Sequence, residues 1–327
     1  MANTFLKKVF PLILFSCVLI INSCKKEKLE IVFSSISSGT EKNIYNIFGL
    51  SNDTLYACGG EDHHGFILKS NDGGNSWQTI STSFNRPIHS IYFMDSKNGF
   101  CGGDSSNVFI TDDAGITWYE YTDYVGVPYQ YRVPLHKIFF TDSVNAFCIG
   151  GKNFGQGIIY HSNNGGTSFH THGFEHELRS AAKCSKEIFA AGYGTMLTST
   201  DNENWSILNS PNEYFTGILF IDDLRGFACG YNGGIYKTTD GGKAWNAAKK
   251  SNNSVSTSRE HFLCLDNNKN TIVACGYGGA TSYSYDKGEN WKTGITFSET
   301  KINAVKLLNE KKGVAVGNNG KIFLFEL

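Results

Sequence analysis

The sequence predicts an all-β chain, a seven-bladed β-propeller of four-stranded blades closed by an N-terminal strand. Three observations predict it: a turn motif that recurs six times, a Gly-terminated apolar motif that recurs seven times, and a composition with 36 Gly, 14% aromatics and only 5 Pro among 327 residues. Self-similarity at this spacing marks repeat architectures.

The chain opens with a processing signal. Lys7 and Lys8 precede an apolar run from Val9 to Ile21, too short to span a bilayer comfortably, and Ser23 and Cys24 follow it. Ile21-Asn22-Ser23-Cys24 resembles the bacterial lipobox, in which cleavage precedes a cysteine that receives lipid. The expected organisation is a lipoprotein signal peptide over 1–23, a lipid-anchored tether over 24–28 that contains Lys25-Lys26-Glu27-Lys28, and one propeller over 29–327. Localisation follows as the bacterial cell envelope, anchored at the outer membrane or periplasmic face through Cys24. The alternative is an ordinary signal peptide with an incidental cysteine. The formal net charge is −1, and −3 without the leader's lysines (27 basic against 30 acidic), so no basic field exists to hold nucleic acid.

The turn motif is clearest at Ser70-Asn71-Asp72-Gly73-Gly74-Asn75-Ser76-Trp77. Copies run Thr111 to Trp118, Ser162 to Phe169, Thr238 to Trp245 and Ser284 to Trp291, with a shorter one from Ser199 to Trp205; their aromatic ends are 41, 51, 36, 40 and 46 residues apart. These match the Asp-box, or BNR repeat. The structural pairs are Asp72 with Trp77, Asp113 with Trp118, Asp240 with Trp245 and Asp286 with Trp291, joined by Asp201 in the short copy, while Asn164 and Phe169 replace the standard residues in the third. The carboxylate suits backbone N–H groups of its own turn, Gly supplies positive φ, and the Trp buries a large ring between sheets. Repetition around the ring argues against these aspartates as one catalytic or metal cluster.

The second motif sets the blade count. Tyr56-Ala57-Cys58-Gly59, Phe100 to Gly103, Phe147 to Gly150, Phe189 to Gly192, Phe227 to Gly230, Val273 to Gly276 and Val314 to Gly317 form seven copies, each ending in Gly. Cys58, Cys101, Cys148, Cys229 and Cys275 fall at its second or third place and read as small core residues. Cys184 and Cys264 lie outside the register, and a disulfide between them stays open. In blade two the expected strands, a to d from the channel outward, are Ile91 to Met94, Phe100 to Gly103, Val108 to Thr111, and one beginning at Trp118. The last unit lacks a fourth strand, which Glu30 to Phe33 can supply, removing an open edge.

Antiparallel connectivity puts the Asp turns on one face and the b–c and d–a loops on the other. Any funnel site therefore uses the second face. Of the five Arg, Arg86, Arg132, Arg179 and Arg259 fall in or beside d–a links, just before an inner strand. The same face should carry His63, His64, Asp104, Tyr193, Tyr231 and Tyr277, with Tyr129 and Tyr131 from the longest link. Arg forks near aromatic rings suit carboxylates and acidic peptide segments; equally, these residues suit solvated braces between blades. No metal site and no cofactor is expected, since His63-His64 has no evident third ligand.

The unit from Gly230-Tyr231-Asn232-Gly233-Gly234-Ile235-Tyr236-Lys237 through Trp245 resembles the repeats of the Ycf48-type photosystem II assembly factors, within the sialidase-like repeat superfamily. The resemblance spans nearly all of the mature chain. It implies a seven-bladed, non-enzymatic propeller that uses an arginine-rich patch to bind an acidic partner during membrane-complex assembly. The leading expectation is thus a protein-binding or complex-assembly scaffold at the envelope, with a protein or glycan partner. Two alternatives stand beside it: a sialidase-like glycoside hydrolase, with Tyr214 and Glu213 as a conceivable nucleophile pair, and a surface carbohydrate-binding protein without catalysis.

Overall fold

The computed structural model describes residues 31–121, 132–185, 187–249, 261–294, 297 and 300–327. These residues form seven antiparallel four-stranded sheets. Blade one consists of Ile44–Gly49, Leu55–Glu61, His64–Ser70 and Gln78–Phe84, hydrogen-bonded in that order. The following blades repeat the pattern from inner strands Ile88–Phe93, Leu135–Phe140, Leu178–Cys184, Phe215–Phe220, Phe262–Asn268 and Ile302–Leu307. Each inner strand touches the inner strands of both neighbours, and that of blade seven returns to that of blade one, so the ring is closed. Among the described residues no helix is long and apolar enough to cross a membrane.

Closure is by an N-terminal strand, Val32–Ile36, which pairs antiparallel with the last strand, Ile322–Glu326. It begins later than the expected Glu30 to Phe33, and Glu30, like the expected leader and Cys24, lies outside the described residues. Phe33 fixes it in place by packing edge-on against Phe297 and Phe323 at 5.4 and 5.7 Å between ring centroids.

The apolar core is divided into slabs, one in each cleft between blades. Tyr56, Cys58 and Ile67 of blade one meet Ile91, Phe93 and Cys101 of blade two. The next clefts repeat the arrangement, through to Ala57 and Leu68 of blade one against Val314 and Val316 of blade seven. Alternate residues of a strand face opposite sides of its sheet, so Ala57 and Cys58 serve different clefts. The five in-register cysteines are all buried thiols. Cys184 and Cys264 are also free: the first donates to the Asp223 carbonyl, the second to the Cys275 carbonyl in its own blade.

The aspartate turns lie between third and fourth strands. In blade one the Ser76 N–H donates to Asp72 Oδ1 at 2.9 Å, Ser70 Oγ accepts from Gly74 N–H at 2.8 Å, and Trp77 Nε1 donates to the Gly74 carbonyl at 3.0 Å. Asp113, Asp240 and Asp286 accept the equivalent N–H four residues on, and Asn164 does so with its amide oxygen. Gly74, at φ +89°, sits in the left-handed region. Fourth strands start one residue after the Trp, as at Tyr119–Tyr121.

The recurring Gly of each second strand has a steric cause. A side chain at Gly59, Gly103, Gly150, Gly192, Gly276 or Gly317 would collide with the carbonyl oxygen of the residue just ahead of its blade's inner strand, and one at Gly230 with Glu213. The next residue then donates its N–H to that same carbonyl, as Asp104 does to Pro87, Tyr231 to Tyr214 and Tyr277 to His261, at 2.9–3.2 Å. This clamp pins each b–c loop at the channel mouth.

Candidate functional site: the channel mouth

Every inner strand carries a register shift between its first and third residues: Ile44/Asn46, Ile88/Ser90, Leu135/Lys137, Leu178/Ser180, Phe215/Gly217, Phe262/Cys264 and Ile302/Ala304. A bulge re-aims the residue it contains. The seven residues so placed, Tyr45, His89, His136, Arg179, Thr216, Leu263 and Asn303, all line a cavity of about 550 Å³ along the axis. Asp104, Tyr214, Tyr231, Tyr277 and Lys301 complete its mouth.

One side of the mouth is a polar network. Arg179 Nε lies 2.8 Å from Glu177 Oε1 and donates to the Tyr214 hydroxyl at 2.7 Å; that hydroxyl also donates to Glu177 at 3.1 Å. The Glu177 side chain is only 5% exposed, and its carboxylate is held by the Arg179 guanidinium, the Tyr214 hydroxyl and the Phe154 N–H, which donates to Oε2 at 2.8 Å. His136 Nε2 stands 3.1 Å from Arg179 Nη1 and 3.0 Å from the Gly151 carbonyl. Burial first, then the charges of Arg179 and His89, holds His136 well below the usual histidine range, so its ring is neutral. His89 Nε2 lies 2.7 Å from Asp104 and its ring packs on Tyr45.

Continuous with it through Tyr214 is an aromatic arc. Tyr231 stacks on His261 and Tyr214 at 4.3 and 5.9 Å, and Tyr277 meets Tyr231 edge-on at 5.5 Å. Phe154 and the exposed Tyr193 extend the arc beyond Tyr214. Lys301 sits over the Tyr277 ring at 5.0 Å. Burial, then Arg179, pushes its ammonium below the usual lysine range.

The sequence-selected residues separate accordingly. Arg179, Asp104, Tyr231 and Tyr277 line the mouth, and Tyr193 adjoins it. Arg86 and Arg132 are exposed on links outside the cavity lining, and His63 and His64 are exposed at the hairpin between second and third strands of blade one. Arg259, Tyr129 and Tyr131 lie outside the described residues. Arg179 is the second residue of its inner strand rather than a link residue, because blade four enters its inner strand at Leu178. Inner strands start earlier than expected in blade two as well, at Ile88 instead of Ile91. The described arginines therefore do not converge on one patch; the mouth takes Arg179.

Glu213 does not stand at the Tyr214 hydroxyl. Glu213 Oε1 accepts the backbone N–H groups of Tyr214 and Asn232, and the Tyr214 hydroxyl turns to Glu177 and Arg179. Burial pushes the Tyr214 phenol up to about 12 against the pull of Arg179, away from a reactive phenolate. Sequence reasoning overlooked Tyr45, His89, His136, His261 and Lys301. Their signal is positional: each stands next to the apolar residue that opens an inner strand.

No protein-family model matches the chain, and no curated protein matches it in sequence. Solved structures do. The chain aligns with one described as YCF48 bound to D1 peptide at TM-score 0.68 and 18% identity, covering 90% of this chain and 97% of that one. YCF48 from Cyanidioschyzon merolae aligns at TM-score 0.67 and 16% identity over 90% and 98%. The WD40 propeller domain of Doa1 aligns at 0.68 and 13% over 90% and 97%. At these identities the likeness is one of fold.

Proposed function

We propose that this chain is a non-enzymatic envelope lipoprotein that binds a protein partner, or scaffolds assembly of a complex, through the channel mouth opposite its Asp-box turns. The observation that carries the reading is the bulged ring. It brings Arg179 together with Tyr214, Tyr231, Tyr277 and Lys301 on one concave rim. Aromatic anchors beside a half-exposed guanidinium are the composition of interface hot spots. A structural neighbour of YCF48 type is described with a bound D1 peptide, which supports a peptide-like occupant for the mouth. The tether after Cys24 would hold the ring near a membrane, where an assembly partner is met.

The test is affinity capture from detergent-solubilised envelope with the wild type and with an Arg179→Ala/Tyr231→Ala/Lys301→Ala variant. Loss of specific partners in the variant is expected; recovery of the same set by both would sink the mouth as the interface. Labelled fatty acid should enter the wild type and not Cys24→Ala. Turnover of a sialoside or glucan by the purified protein would overturn the non-enzymatic reading.

A further inference from the structure

Below the mouth, the channel holds a second feature that partner binding at the rim does not use. Lys137, third residue of the blade-three inner strand, is half-buried and lines the cavity, and its ammonium makes no hydrogen bond or ion pair among the described residues. A lysine ammonium carries three donors, and burying it without acceptors is costly. Burial pushes Lys137 below the usual lysine range, Lys306 adds to that, and Asp266 opposes it, so all three act on one another across the channel.

The carboxylate present is already committed. Asp266 accepts from Lys306 Nζ through both oxygens, at 3.1 and 3.0 Å, and from the Leu307 N–H at 2.6 Å. Asn46, of blade one, lines the same cavity, and its side-chain amide has no hydrogen-bond partner among the described residues. Other polar side chains at the same register position are occupied: Ser90 and Ser180 accept N–H groups of the next blade. The channel thus offers a free ammonium and a free amide donor beside a closed lysine–aspartate pair.

We propose that the channel below the mouth binds a small monocarboxylate, with the Lys137 ammonium as its counter-ion and the Asn46 amide as a second donor. The valence follows from charge. Below the mouth, which carries Arg179, Lys301 and Asp104, the lining charges are Lys137 and Lys306 against Asp266; they leave one positive charge, and a dianion would meet the Asp266 carboxylate in a confined, weakly screened space. The cavity is open to the mouth and large enough to admit such a ligand. This inference is independent of the proposed function, since a protein can dock on the rim whether or not the channel is filled.

Calorimetric titration of the folded protein with acetate, at constant ionic strength against chloride, tests it. Saturable binding is expected, weakened at least tenfold in Lys137→Met and unchanged in the exposed control Lys97→Met, with inorganic phosphate binding more weakly than acetate. Reductive methylation of the wild type, read by mass spectrometry, gives a check without any substitution. Acetate should protect Lys137 and leave Lys97 reactive. Equal acetate binding by wild type and Lys137→Met, a non-saturable response, tighter binding of phosphate, or no protection of Lys137 would each overturn the proposal.

Discussion

The guanidinium of Arg179, in blade four, donates to the hydroxyl of Tyr214, at the entry to blade five, across 2.7 Å, and both bind Glu177. The mouth is therefore braced between blades by a charged hydrogen-bond triad. Replacing Arg179 with Met leaves the Glu177 carboxylate buried without a cation. Breaking a fully buried pair costs roughly 3–5 kcal/mol; since the Arg179 side chain keeps 37% of its exposure, a loss of about 2 kcal/mol is expected. Tyr214→Phe should cost about 1 kcal/mol. Urea unfolding of both variants and their combination checks this, and strict additivity would mean the triad is not coupled.

The clamp at the second-strand glycines makes a steric prediction. Gly276→Ala forces a side chain into the His261 carbonyl and should destabilise by about 3 kcal/mol or more. Gly278→Ala, two residues on, meets open space and bears only the strain of φ +60°, about 1 kcal/mol. Equal midpoints in urea would show that close approach is not what selects glycine there.

His136 sets a pH dependence near neutrality. Its folded pKa is held below the ordinary 6.5, so below pH 6.5 the unfolded chain takes a proton that the folded ring refuses. Stability from this residue is full above 6.5 and falls as pH drops toward the depressed folded value, by at most about 1.4 kcal/mol per pH unit. Arg179, His89 and Glu177 face the ring and keep their places in His136→Gln, which should flatten the profile between pH 7.5 and 5. An unchanged slope in that variant would assign the proton elsewhere.

A separate acid limb comes from the aspartate turns. Hydrogen bonds from Ser76 hold Asp72 at about 2 against an ordinary 3.8. A depressed carboxylate contributes stability above 3.8 that is lost as pH falls through 2. Asp72→Asn should therefore reduce the loss of stability between pH 4 and 2. The third turn is the internal precedent, since Asn164 already makes the same bond to the Ser168 N–H. Identical acid limbs for the variant and the wild type would refute this.

The closing strand is expected to govern cooperativity. Phe33→Ala removes the ring lodged between Phe297 and Phe323 and should cost about 3 kcal/mol. Hydrogen exchange should rise first in Ile322–Glu326, the strand it covers, ahead of blades three to five. Uniform acceleration around the ring would mean closure is not the weakest seam.

The fold was legible because repetition amplifies weak local signals: seven glycines in one register count blades even where an aspartate turn is degenerate. The mouth was legible only in part. Asp104, Tyr231 and Tyr277 each follow a motif glycine, so their loop position could be read directly. His89, His136 and Arg179 depend on a bulge, and a one-residue shift in a strand sends a side chain to the other face. Arg86 and Arg132 stand close to inner strands in sequence and yet outside the bulge, hence outside the cavity. No periodicity distinguishes those cases. The fate of Glu213 depended on backbone donors 1 and 19 residues away, equally invisible in a linear pattern.

The bulges have an evolutionary corollary. At each, the second residue of an inner strand drops out of the pairing register that its neighbours keep. Seven positions on one rim therefore lie outside the apolar clefts that hold the ring together. Such a frame works as a type-case with interchangeable sorts. New specificities could arise by substitution at Tyr45, His89, His136 and Leu263, while Arg179, Thr216 and Asn303 also brace the blades that print them.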